Sequence, residues 1–133
     1  MTRFGIDPPT FLQLARSGRP IHTSHQLVAP NSLRSKAFEL LLPEVNHGHI
    51  AEREAFEIHE RLTELKVRLL GDRMSRRTAW NFAREFGWPT LADAEYLAVT
   101  RLQADAIVTI DPNLAAKASG VVPLAPFDSL FTS

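Results

Sequence analysis

The stretch Ala106-Ile107-Val108-Thr109-Ile110 is apolar and β-branched without interruption, and Asp111-Pro112 ends it at once. A strand with one wet face alternates polar and apolar residues, so an unbroken run reads as a strand buried on both faces. Such strands belong to parallel sheets, whose crossover connections put helices over both faces. The rest of the chain supplies those helices. Arg3 to Asp7 reads as a short strand, and Pro8-Pro9 then open a helix whose apolar side is Phe11, Leu12, Leu14 and Ala15, ending near Gly18. Leu27-Val28 reads as a very short strand before Pro30. Asn31 or Ser32 caps a helix running through Leu42, which Pro43 kinks or ends. His47-Gly48-His49 is a turn, and Ala51, Ala55, Ile58 and Leu62 mark a further helix.

Leu65, Val67 and Leu69 alternate with Lys66 and Arg68, the period of a strand with one wet face, closed by Gly71. Ala79, Phe82, Ala83 and Phe86 fall at helical spacing before Gly87, and Leu91, Ala94, Ala98 and Leu102 mark the next helix. A short helix from Pro112 to about Ser119 and a last strand at Val121-Val122 complete the pattern. The order predicts an α/β fold: a three-layer α/β/α sandwich around a central parallel sheet, with residues 1–133 forming one domain.

Composition narrows the class without choosing a function. Apolar residues make up 44% and charged residues 23%, enough for a packed core. No cysteine is present, which excludes disulfides and thiolate metal sites. No apolar stretch reads as a signal peptide or a membrane span, so a cytoplasmic protein with no membrane association is the expectation. The 15 basic and 15 acidic residues cancel, leaving no global electrostatic case for nucleic acid. Basic residues crowd Arg68, Arg73, Arg76, Arg77 and Arg84, and acids crowd Glu52 to Glu64; a solvated helix face is the simplest reading of each.

Three aspartates stand where strand or turn gives way to helix: Asp7 before Pro8, Asp93 in Thr90-Leu91-Ala92-Asp93, and Asp111 before Pro112. Taken singly, each is explained as a helix cap, Asp93 through a capping-box spacing from Thr90. Taken together, carboxylates at the carboxyl ends of parallel strands point into the crevice where open α/β sheets bind ligands. Gathered acids of this kind hold divalent cations through oxygen.

The order of these segments resembles a PIN domain, and within that family the VapC-like toxins of toxin–antitoxin pairs. Phe4-Gly5-Ile6-Asp7 is similar to the family's first strand and first acid. Val28-Ala29-Pro30-Asn31-Ser32-Leu33-Arg34-Ser35 resembles the segment entering the helix of the second acid. Asp93-Ala94-Glu95-Tyr96-Leu97-Ala98 and Val108-Thr109-Ile110-Asp111 match the third and fourth. Leu70-Gly71-Asp72-Arg73, Ala79-Trp80 and Leu102-Gln103-Ala104-Asp105-Ala106 resemble a subgroup of these toxins.

The resemblance implies an endoribonuclease that uses Mg²⁺ or Mn²⁺, is inhibited by a cognate VapB-like antitoxin, and forms a homodimer. Asp7, Asp93 and Asp111 would be its catalytic metal ligands. The family's second acid corresponds here to Lys36, whose ammonium would repel a cation and suit a substrate phosphate instead. Glu39, one helical turn on, is a candidate fourth ligand, Asp72 another stand-in, and Arg73 a weak candidate for substrate binding.

Two alternatives stay open: a catalytically impaired PIN module that binds RNA or protein without cutting, and a metal-dependent nuclease acting on DNA. His22 with His25 and His47 with His49 read as loop histidines rather than zinc ligands. Phe82 and Phe86 read as core and Trp80 as core or dimer surface, with base stacking the alternative for all three. Glu95, two residues from Asp93, is expected to face away from it.

Overall fold

A computed structural model describes all 133 residues. Five parallel strands form one sheet in the order β3-β2-β1-β4-β5. They are β1 (Thr2–Ile6), β2 (His25–Pro30), β3 (Arg68–Leu70), β4 (Ala106–Val108) and β5 (Leu124–Ala125). Between β1 and β2 lies α1 (Pro8–Ser17), and between β2 and β3 lie α2 (Leu33–Glu39), α3 (Leu41–Asn46) and α4 (Glu52–Glu64). Then come α5 (Arg73–Phe86) and α6 (Ala92–Gln103) before β4, and α7 (Pro112–Ala118) before β5. The helices α1 to α4 pack on one another, and α5 packs on α6. Right-handed crossovers put α1–α4 over one face and α5–α7 over the other, giving the expected three-layer sandwich.

The chain winds outward from β1 to β3, then returns to lay β4 on the other side of β1. That reversal makes the carboxyl ends of β1 and β4 the switch point, where neighbouring connections leave in opposite directions and open a crevice. Phe4 pairs with Ala106, Gly5 with Ile107 and Ile6 with Val108, so the chain emerges from both strands at the same level. Ile6, Ile107 and Val108 are fully buried, as the unbroken apolar run requires.

Helix ends follow the local sequence. Pro8 and Pro9 start α1, whose missing amide donors would be unpaired there in any case, and Gly18 ends it at φ 66°. Gly87 ends α5 in the same left-handed conformation at φ 71°. Four local expectations need correction. The helix from Ser32 does not reach Leu42: it breaks at Leu40, and Pro43 falls in the first turn of α3, where its lack of a donor costs nothing. Strand β3 starts only at Arg68: α4 runs to Glu64, and Arg34 holds the carbonyls of Leu62 and of the C-cap Leu65 (Nε to Leu62 O 3.0 Å, Nη2 to Leu65 O 2.7 Å). Strand β4 stops at Val108, leaving Ile110 46% exposed. The last strand is Leu124–Ala125, while Val122 is buried in the turn before it.

Gly5 sets how closely α6 approaches the sheet. A Cβ there would overlap the Thr100 hydroxyl, which donates to Tyr96 O (2.8 Å) one turn back along α6. Gly5→Ala should therefore force β1 and α6 apart, costing about 1–3 kcal/mol in urea unfolding. Adding Thr100→Ala should recover part of the loss, since the two side chains compete for the same space.

Candidate active-site cleft

The crevice at the switch point is a cleft of about 480 Å³. Asp7 and Pro8 enter it from the end of β1, Lys36 and Glu39 from α2, Asp93, Glu95 and Tyr96 from α6, and Asp111 from beyond β4. The three junction aspartates thus share one cleft, although they lie far apart in sequence.

Their local roles differ from those of three caps. Asp7 occupies the N-cap position of α1 but makes no side-chain cap bond. Its carboxylate accepts instead from two hydroxyls: Thr10 donates to Oδ1, and Thr109 donates to Oδ2 at 2.8 Å. Those hydroxyls in turn accept backbone N–H groups, Ile110 onto Thr10 (2.9 Å) and Asp111 onto Thr109 (3.0 Å). The segment leaving β4 is tied to Asp7 by this network. Asp93 is no cap either, since it lies inside α6, whose N-cap is Leu91. Its carboxylate meets Lys117 Nζ of α7 at 2.8 Å. Only Asp111 caps, accepting from Asn113 N at 2.9 Å through Oδ1.

Asp7 is 2% exposed, and burial pushes its pKa above the ordinary 3.8. The Thr10 and Thr109 hydroxyls oppose the rise, and the negative charge of Asp111 adds to it. Tyr96 is pushed up to about 12, chiefly by burial, with the charges of Asp7, Glu95 and Asp93 adding to the rise. Its hydroxyl lies buried near Ser32, which partly offsets the shift, yet it completes no hydrogen bond. The phenol therefore stays protonated at neutral pH and holds an unused donor beside the acids.

Lys36 and Glu39 line the same cleft and stand 4.0 Å apart, both largely exposed. Glu95 lines it as well, contrary to the expectation that it faces away. Asp72 and Arg73 do not line it. Asp72 caps α5 through Ser75 N (2.7 Å), and that amide pulls its pKa down. Phe86, expected in the core, is exposed and stacks on Trp88 at 5.2 Å. The rings of His22 and His25 lie 5.6 Å apart and those of His47 and His49 5.9 Å apart, with no third ligand to make a metal site.

Tyr96 is an unforeseen lining residue of the cleft, and Thr10, Thr109 and Lys117 are unforeseen partners of its acids. Thr10, one turn after Asp7, and Thr109, inside the apolar run, had weak local signals. Lys117 had none, because its meeting with Asp93 depends on how α7 folds back beside α6.

The donor chemistry of the cleft, hard carboxylate oxygen, suits Mg²⁺, which keeps several waters and often takes only one or two carboxylates. Asp7 and Asp111 fit that role, since the charge of Asp111 raises the cost of ionising the buried Asp7 and a cation would relieve it. A closed cage does not fit: no three acidic or histidine side chains are gathered tightly enough to ligate one ion as they stand. Lys117 supplies Asp93 with a positive charge of its own.

Neither a family model nor a curated protein matches this chain.

Two outcomes follow. Because the Asp7 pKa is raised in the folded state, its protonated form contributes stability that is full below pH 3.8 and lost as pH rises through the higher folded value. Without divalent ions, Asp7→Asn should therefore melt higher than wild type at pH 7, and the gap should narrow towards pH 4. Lys117→Met should strengthen Mg²⁺ binding measured by calorimetry, because it removes a competing cation from Asp93.

Proposed function

We propose that the chain is a metal-dependent nuclease acting on RNA. The observation that supports this best is the meeting of Asp7, Asp93 and Asp111 in one cleft at the switch point, with Asp7 buried beside a second negative charge. A buried carboxylate beside a like charge is costly unless a cation sits between them or a proton neutralises one. On this reading Asp7 and Asp111 would hold Mg²⁺ or Mn²⁺, and Asp93 would help position it from α6. The bound ion would lower the pKa of a water and offset charge on the scissile phosphate.

The chain's own groups do the rest. Thr10 and Thr109 fix the Asp7 carboxylate by donating to both oxygens. Lys36, on the α2 side of the cleft, offers a point charge to a substrate phosphate. The Tyr96 hydroxyl offers a neutral donor. RNA rather than DNA, a homodimeric assembly and inhibition by a VapB-like antitoxin come from the motif resemblance to VapC-like toxins.

A second reading, an impaired module that binds RNA without cutting it, is favoured by Lys36 in place of an acid and by the Asp93–Lys117 ion pair. Both lysines oppose cation binding. Incubating structured RNAs with the purified protein, with and without Mg²⁺ or Mn²⁺, separates the readings. The nuclease reading expects metal-dependent cleavage by wild type that drops roughly tenfold to a hundredfold in Asp93→Asn, the range seen when groups ordering a metal site are lost. Inert wild type with cleavage gained by Lys36→Glu would favour the impaired module. Inert protein in every variant would refute the nuclease reading.

A further inference from the structure

The outer face of α5 brings together residues that the cleft does not use. Arg73, Arg77, Trp80 and Arg84 fall at i, i+4, i+7 and i+11, so they form one stripe along the helix. The opposite side, Ser75, Ala79 and Ala83, is buried, with the two alanines packed against Ala94 and Ala98 of α6. All four stripe residues are exposed, and Trp80 is 57% exposed in the middle of the row. None of the three arginines pairs with a carboxylate. Elsewhere the acids gather on α4, in the other helix layer, so the net charge of zero hides a molecule with separated charge.

The stripe leads towards the cleft. Trp80 and Arg84 line a hollow of about 330 Å³ together with Trp88, Thr90 and Leu91. Trp88 lies 5.5 Å from Lys117 Nζ, and Lys117 is bound to Asp93 in the cleft wall. Cations at helical spacing around an exposed indole suit a polyanion that also presents flat apolar faces. Unpaired nucleotides have both features, whereas bases within a duplex hide their faces in the stack. A second copy of this chain fits poorly, because a two-fold axis through the stripe would set arginine against arginine.

We propose that this face of α5 is a track for single-stranded RNA. Arg73, Arg77 and Arg84 contact phosphates, a base stacks on Trp80, and the strand passes over the Trp88 hollow to the acids. The proposal rests on the RNA reading of the cleft but concerns binding, so it is tested in EDTA, where metal-dependent cleavage plays no part. The probe is a fluorescein-labelled oligouridine of about twelve nucleotides, ample for a site of the usual 4–16.

The expected result is that Arg73→Gln/Arg77→Gln/Arg84→Gln weakens binding at least about tenfold and lowers the salt slope by about 2, from roughly 0.7 per lost phosphate contact. Trp80→Ala should weaken binding at least about fivefold, and Trp80→Phe should keep most of it, since a phenyl ring still stacks. All the altered side chains are exposed, so melting temperatures should stay near that of wild type and serve as the folding control.

Wild-type affinity in both the arginine variant and Trp80→Ala would overturn the track. So would duplex RNA binding as tightly as oligouridine. If Trp80→Ala only turns a dimer into a monomer while RNA affinity holds, the face is a self-association surface and the track is refuted. Binding that behaves as expected in EDTA while no RNA is cut with Mg²⁺ would leave the track standing and remove the nuclease reading alone.

Discussion

The parallel pairing of β1 with β4 is the constraint on which the cleft depends. These two strands lie side by side because the chain winds outward from β1 and then returns across it, and the paired Ile6 and Val108 bring both exits to one level. Asp7 follows β1 directly, and Thr109, Ile110 and Asp111 follow β4. The Thr109–Asp7 bond and the two backbone N–H groups accepted by Thr10 and Thr109 then fasten the exits together. A buried carboxylate with both oxygens bonded is rigid but still poorly compensated in charge, because hydroxyl donors are neutral. Rigid geometry and uncompensated negative charge are the two properties a cation site needs.

Around that centre the molecule divides its charge unevenly. Positive groups meet the cleft from two sides: Lys36 on α2 lines it, and Lys117 on α7 pairs with its Asp93. Lys117 is tied to one acid at 2.8 Å, whereas Lys36 is largely exposed and near only Glu39. The first can trade places with a metal ion only by breaking a bond; the second is free to meet a phosphate. That difference separates the two functional readings physically. Strong pairing of Asp93 with Lys117 favours binding without cleavage, and a cation that displaces it restores three available acids. No helix is long and apolar enough to cross a membrane.

Much of the fold was legible in the sequence because its signals are local. The unbroken Ala106–Ile110 run marked a buried strand, Pro8-Pro9 and Gly18 bracketed α1, and Gly87 ended α5. Boundaries decided by tertiary contacts were misjudged. Arg34 reaches across to the end of α4, so Leu65 to Val67, despite their alternation, never pair as strand. The candidate site is likewise a matter of tertiary contacts. That Asp7, Asp93 and Asp111 share a cleft does not follow from sequence alone, since it depends on the β1–β4 pairing and on how α6 packs beside it. Whether each carboxylate caps or faces a ligand does not either, because a cap spacing in sequence says nothing about competing hydroxyls or a lysine from a later helix. Thr10 and Thr109 took Asp7, Lys117 took Asp93, and only Asp111 capped.

The most direct test of the central claim, that the switch-point acids hold a divalent cation, is to locate Mn²⁺ on the protein by paramagnetic line broadening in amide NMR spectra. One ion per chain is expected, with broadening centred on the amides of Asp7, Thr10, Ala94 and Asn113 and abolished in Asp7→Asn. Broadening centred elsewhere, such as on the acidic α4, or none at millimolar Mn²⁺, would contradict it.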